Sequence, residues 1–153
     1  MIKIKPIQIA HVNLNVTDLE RSEKFYTEIL GFHVSGKVAG SIAWLNMGQY
    51  KPNDELAFHD LALFQVPHGL PDNYRKRVGL NHAAFRLSSA KEVDQAADFL
   101  KSKNVKVLKG PMTHQEDQDR YVYFEDPDGN VLELVASTLA GYPQEYMRKG
   151  SGE

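Results

Sequence analysis

Ile9-Ala10-His11-Val12-Asn13-Leu14-Asn15-Val16 decides the fold, because Leu80-Asn81-His82-Ala83-Ala84-Phe85-Arg86-Leu87 repeats its pattern 71 residues later (residue 9 to residue 80). Ile9, His11, Val12, Leu14 and Val16 fall opposite Leu80, His82, Ala83, Phe85 and Leu87. The same offset sets Leu61, Leu63 and Phe64 opposite Leu132, Leu134 and Val135. Between these ends the register drifts, as changes in loop length cause. An internal repeat constrains topology more tightly than local propensity does.

Each copy opens with the alternation of a half-buried strand and continues into a helix. Thr17-Asp18-Leu19-Glu20 has capping-box spacing, with the Thr17 hydroxyl as the expected acceptor for the first turn. Leu19, Phe25, Tyr26, Ile29 and Leu30 form the apolar face, and Gly31 ends the helix. Ser89-Ala90-Lys91-Glu92 repeats the box, and Val93, Ala96, Ala97 and Leu100 repeat the stripe. Further strands are expected near 33–38, 41–47, 57–66, 105–109, 120–125 and 130–137, with Glu125-Asp126-Pro127-Asp128-Gly129 as a hairpin turn. The expectation is an α+β fold of two βαβββ modules in one domain spanning 1–153. Module 1 covers about 7–66, a linker 67–79, module 2 about 80–137, and a tail 138–153.

Strand parity separates two faces. Ala10, Val12, Leu14 and Val16 suit helix packing, which leaves His11, Asn13 and Asn15 on the other side. In the second copy Ala83, Phe85 and Leu87 pack, leaving His82, Ala84 and Arg86 opposite. Near the end of the chain Leu132 and Leu134 face one way and Glu133 the other. Three potential metal ligands, His11, His82 and Glu133, thus lie off the helix-packed faces of three strands. The competing explanation for Glu133 is a buried salt bridge to Arg86.

Composition narrows the class. The 153 residues are 42% hydrophobic and 25% charged, enough for a core without a disulfide or zinc staple. There is no cysteine, which excludes disulfides, thiolate metal sites and a cysteine nucleophile. A net charge of −2 gives no electrostatic case for nucleic acid or an acidic membrane. The one short basic cluster, Arg75-Lys76-Arg77, lies near Asp72 and reads as a solvated loop. Met1-Ile2-Lys3-Ile4-Lys5-Pro6 lacks a signal-peptide core, and no apolar run is long enough to span a bilayer, so the expected location is cytoplasmic.

These residues resemble the vicinal oxygen chelate superfamily, whose paired βαβββ modules form a cup-shaped mixed sheet around a metal. Ile9-Ala10-His11-Val12-Asn13-Leu14, followed by Phe25-Tyr26 and Leu30-Gly31-Phe32, is similar to the first-module signature. His114, seven residues, Val122-Tyr123, two residues, Asp126-Pro127-Asp128-Gly129, three residues and Glu133 resemble the signature of the extradiol (catechol-type) ring-cleavage dioxygenases. Met112 departs from that signature, and many extradiol enzymes carry four modules where this chain has two.

The resemblance implies His11, His82 and Glu133 as the metal triad, His59 as the acid/base histidine, and His114 and Tyr123 as groups contacting the bound diol. Ala62 stands 71 residues before Glu133, where glyoxalase-like relatives place another ligand. Two imidazoles and one carboxylate leave three open positions on an octahedral ion, for two diol oxygens and O₂. The implied cofactor is Fe(II), with Mn(II) as the alternative. The implied function is an Fe(II)-dependent extradiol dioxygenase acting with O₂ on a small aromatic diol, as a homodimer. Two other readings stay open at this point: a glyoxalase- or epimerase-type metalloenzyme or thiol transferase of the same fold, and a bleomycin-resistance-like binding protein, which needs no triad. His114 in its polar loop and Tyr123 in its strand also admit structural explanations. His33 and His68 have no motif support, and Trp44, Phe58, Phe64, Tyr142 and Tyr146 are candidates to line a pocket.

Overall fold

The computed structural model describes residues 4, 6, 8–50, 56–143 and 145. Tyr146, the tail from 146 onward and loop residues 51–55 lie outside the described residues. The chain divides into two compact units: Met1–Asn81 with Asp126–Asn130, and His82–Glu125 with Val131–Glu153.

The first unit contains β1 (Val12–Val16), α1 (Leu19–Glu28), β2 (His33–Val38), β3 (Ile42–Asn46) and β4 (Leu61–Gln65), followed by a 3-10 turn at Tyr74–Lys76. The second contains β5 (Ala83–Arg86), α2 (Ala90–Ser102), β6 (Val107–Thr113), β7 (Asp119–Glu125) and β8 (Val131–Ser137). Each unit holds one four-stranded mixed sheet, in the order β1-β4-β3-β2 and β5-β8-β7-β6. Both modules are therefore βαβββ. The parallel register repeats the sequence offset, since Val12 pairs with Leu61 and Ala83 with Leu132, and each partner differs from its counterpart by 71 residues. The strand expected over 57–66 is shorter, starting only at Leu61.

Side-chain alternation sorts as the pattern requires. Leu14 and Val16 are buried while Asn13 and Asn15 are exposed. Leu19, Ser22 and Tyr26 are the buried face of α1, with Phe25, Ile29 and Leu30 half-buried around it. Val93, Ala97 and Leu100 form the buried face of α2. Each fully buried aliphatic or aromatic side chain contributes on the order of 1.5–3 kcal/mol to that packing.

The helix caps differ from the sequence expectation in one copy. In α2 the Ser89 hydroxyl accepts from the Glu92 N–H at 3.3 Å, while the Glu92 carboxylate reaches back to Ser88, accepting from its N–H at 3.1 Å and its hydroxyl at 2.7 Å. In α1 the cap is Asp18, which accepts from the Arg21 N–H at 3.0 Å. Thr17 is engaged elsewhere: its N–H (3.1 Å) and its hydroxyl both donate to Asp128.

That contact belongs to the turn 126–130, which counts with the first unit. The buried Asp126 carboxylate accepts from the Tyr26 hydroxyl at 2.9 Å, the Asp128 N–H at 2.9 Å, and the Asn130 N–H and side-chain amide, each at 2.8 Å. Burial raises its pKa, outweighing the hydrogen bonds that act the other way. Asp128 also accepts from the Arg21 guanidinium at 2.8 Å and the Ser22 hydroxyl at 3.3 Å. Burial alone would raise its pKa, but the Thr17 and Arg21 hydrogen bonds prevail and lower it.

In the second unit the β6–β7 register shifts around Gly110, whose φ is +95°. A Cβ there would stand 2.5 Å from the Tyr121 carbonyl oxygen and 3.1 Å from the Val122 Cα. Only glycine fits this backbone and this approach.

Two outcomes follow from this packing. Gly110→Ala lowers unfolding stability in urea by about 1–3 kcal/mol, the cost of holding an L-residue in that region of backbone space. Asp128 has a depressed native pKa, so its contribution is present above the unfolded value of about 3.9 and is lost as pH falls through the native value. Asp128→Asn is expected to cost about 1.5–3 kcal/mol at neutral pH. In urea melts across the acid range, the gap from the parent chain closes as Asp128 protonates.

Candidate metal and substrate site

The second unit gathers four of the residues singled out from sequence. β8 is an inner strand, and Glu133 projects from it on the face opposite Leu132 and Leu134, only 5% exposed. In register it lies between Ala84 on β5 and Tyr123 on β7. His82, immediately ahead of β5, brings its Nε2 to 3.0 Å from Glu133 Oε2. His114, just past β6, is held by its own N–H donating to the Asp119 carbonyl at 2.9 Å. Its ring stacks on Tyr121 with centroids 3.8 Å apart and planes inclined by 14°, and its Nε2 lies 3.8 Å from Glu133 Oε1.

The Tyr123 hydroxyl hydrogen-bonds the Glu133 carboxylate, and the His82 ring meets the Tyr123 ring edge-on at 5.1 Å. Burial, and then the nearby Glu133 charge, push the Tyr123 phenol up to about 12. Tyr123 therefore stays protonated at neutral pH and donates. Arg86, offered from sequence as a partner for Glu133, instead bonds Asp119 at 2.9 Å. The carboxylate of Glu133 is left to the two imidazoles and the phenol.

The first unit gathers two more. His11 immediately precedes β1, as His82 precedes β5, and it is exposed. His59 lies two residues before β4, half-buried, with its ring centroid 4.8 Å from that of His11. His59 Nδ1 is 2.8 Å from the Ala57 carbonyl oxygen. A carbonyl only accepts, so Nδ1 carries the hydrogen, and in the neutral ring Nε2 keeps its lone pair. Ala62 lies between Asn13 and Trp44 just as Glu133 lies between Ala84 and Tyr123. The first copy thus has a methyl group where the second has a carboxylate.

The donor chemistry fits a divalent ion. Two N/O ligands at roughly 2.1 Å from a metal, at right angles, are about 3 Å apart, the separation His82 and Glu133 already have. A second imidazole and a phenol donor around the same carboxylate form the kind of outer shell that orients a ligating group. Among the described residues no three His, Asp or Glu side chains form a closed metal-binding group.

Sequence reasoning missed Asp119, Tyr121 and the Ala57 carbonyl, all of which act through strand register or loop geometry. Of the candidate lining residues, Trp44 is half-buried in β3, Phe58 and Phe64 are exposed, and Tyr142 lies over Arg86. His33 is exposed on β2, and His68 lines a groove of about 190 Å³ in the first unit that includes none of the six site residues.

Residues 8–134 match the family model of the Glyoxalase/Bleomycin resistance protein/Dioxygenase superfamily. The chain is 34% identical over 133 residues to the uncharacterised protein YqjT of Bacillus subtilis (strain 168), an alignment covering 82% of this chain and 96% of that one. It is 28% identical over 147 residues to biphenyl-2,3-diol 1,2-dioxygenase 3 of Rhodococcus globerulus, covering 95% and 71%. It is 29% identical over 140 residues to the metallothiol transferase FosB of Staphylococcus epidermidis, covering 90% and 87%. With β1 through β7 and the first half of β8 inside the matched span, the chain belongs to the Glyoxalase/Bleomycin resistance protein/Dioxygenase superfamily.

Proposed function

We propose that this chain is an Fe(II)-dependent extradiol dioxygenase that opens the ring of a small aromatic diol with O₂. The observation that carries the reading is the buried Glu133 carboxylate ringed by His82, His114 and the Tyr123 hydroxyl. His82 and Glu133 are the proposed ligands in the second unit, and His11, the repeat counterpart of His82, is the proposed third. A metal held by such a set would supply a Lewis-acidic centre able to bind the diol and O₂ together.

The remaining roles follow from the side chains themselves. His59, with Nδ1 committed to Ala57 and Nε2 basic, takes and returns the second diol proton. Tyr123 holds the Glu133 oxygen and stays a donor because its pKa lies far above neutrality. His114, stacked on Tyr121, directs a ring nitrogen toward the Glu133 side and can donate to a substrate oxygen there. Ala62 supports this reading over an isomerase with four protein ligands, since a methyl group cannot occupy a coordination position. A relative whose name is biphenyl-2,3-diol 1,2-dioxygenase is in keeping with a diol substrate. A cytoplasmic location is part of the proposal. No described helix is long and apolar enough to cross a membrane.

The test is aerobic assay of protein loaded anaerobically with Fe(II) against a panel of catechols. O₂ uptake and a yellow ring-opened product are expected to appear together. Inactivity toward every diol at stoichiometric iron would overturn the proposal, and thiol consumption without O₂ uptake would point instead to a transferase. His59→Ala should keep metal and diol binding while kcat falls by about 10²–10⁴-fold. Glu133→Ala and His11→Ala should lose bound metal, as measured by elemental analysis.

A further inference from the structure

The face of the second sheet that carries Glu133 also carries a guanidinium with no part in the chemistry above. Arg86 occupies the same side of β5 as Ala84, and its backbone neighbour on β8 is Val135, two residues beyond Glu133. Two residues along a strand advance roughly 6.6 Å, and the guanidinium reaches on to Asp119, whose register partner on β8 is Ser137. A carboxylate taken there stands on the far side of a substrate ring from its diol oxygens.

The guanidinium is held in place. Its Nη2 donates to Asp119 Oδ2 at 2.9 Å, and the Asp119 side chain is only 8% exposed. The Tyr142 ring lies against it, 4.6 Å from ring centroid to the guanidinium carbon. The Arg86 side chain is nonetheless 41% exposed, and its contact with the Asp119 carboxylate is made by Nη2 alone. A planar fork anchored at one edge by a carboxylate and covered on a face by an aromatic ring has little rotamer freedom left to lose on binding a second carboxylate. Lys109, level with Tyr123 across β6 and β7, adds a second cation, its Nζ 5.6 Å from the Tyr121 ring centroid. Among the described acids nearby, Asp119 is matched by Arg86 and Glu133 by His82, His114 and Tyr123, while Asp117, whose charge also reaches Arg86, accepts from the Asp119 N–H at 3.0 Å.

We propose that Arg86 is a specificity-determining residue that reads a carboxylate on the ring of the substrate, making the preferred diol an anionic one. The diol half of this inference rests on the ring-cleavage reading, whereas the anion half rests on Arg86, Asp119 and Tyr142 alone.

Calorimetry on the Fe(II)-loaded protein under anaerobic conditions compares 3,4-dihydroxybenzoate with its neutral isostere 3,4-dihydroxybenzamide and with catechol. The acid is expected to bind about tenfold more tightly than the amide, consistent with a charge-assisted contact. Arg86→Leu should erase that preference and leave the catechol Kd unchanged. Because leucine would leave Asp119 buried without its cation, the paired Arg86→Leu/Asp119→Leu change and Arg86→Lys accompany it. The pair should lack the preference, and the lysine should restore part of it. Metal-free protein titrated with benzoate isolates the anion half, with weak saturable binding expected in the parent and none in the leucine variants.

Equal affinity for acid and amide in the parent would overturn the proposal. So would an equal loss of catechol and acid binding in Arg86→Leu/Asp119→Leu, which would mark Arg86 as scaffold. Arg86-dependent benzoate binding in a protein that cleaves no diol would sink the dioxygenase reading and leave the anion site standing.

Discussion

A carboxylate buried on an inner strand must be matched, because an ionised group withdrawn from water without partners costs far more than a domain's spare stability. Glu133 sets this constraint for the second unit. It is 5% exposed on β8, with apolar Leu132 and Leu134 on either side in sequence. Its partners come from three other strands or their ends: His82 ahead of β5, Tyr123 on β7 and His114 after β6. The glycine-bearing irregularity in β6 and the hydrogen bond from His114 to the Asp119 backbone place the imidazole that approaches from that edge. Removing one partner from such a network typically costs more than the pair itself contributes, since the remaining charge stays buried.

The repeat supplies one backbone frame twice and fills it with different chemistry. In both sheets the same parallel register places a residue of the fourth strand beside the first strand, Ala62 by Asn13 and Glu133 by Ala84. The third strand offers an indole in one copy, Trp44, and a phenol in the other, Tyr123. The second copy holds a carboxylate with an oriented donor. The first holds a histidine pair in which one ring is tautomerically fixed by a backbone carbonyl.

Much of this was legible in sequence because it rests on periodicity. Helix stripes, strand parity and the 71-residue offset depend only on spacing, and the residue types at His11, His82 and Glu133 carried the ligand hypothesis. What could not be read is non-local. Thr17 has good capping credentials, yet its hydroxyl serves Asp128, 111 residues away, so the neighbouring Asp18 takes the cap. Arg86 finds Asp119 rather than Glu133 because the β5-β8-β7 order brings that acid within reach, and the β8–β7 register had no sequence signal. The alternation through 57–66 suggests strand, yet the strand begins only at Leu61, and the His59 ring turns its Nδ1 to the Ala57 carbonyl.

The contrast between Ala62 and Glu133 bears on how easily the two copies could exchange duties. Ala62 is 1% exposed, and its cross-strand neighbours are Asn13 and Trp44. A glutamate appearing there would enter a packed interior in which the flanking strand supplies an indole in place of a phenol hydroxyl. A lone acid in such surroundings is driven to its neutral form, the form least able to bind a cation. A carboxylate at position 62 would therefore need a cation or a donor brought to it, since the flanking strand offers Trp44 where Glu133 has Tyr123. The same backbone frame holds an acid in one copy, where two imidazoles and a phenol converge on it, and only a methyl group in the other.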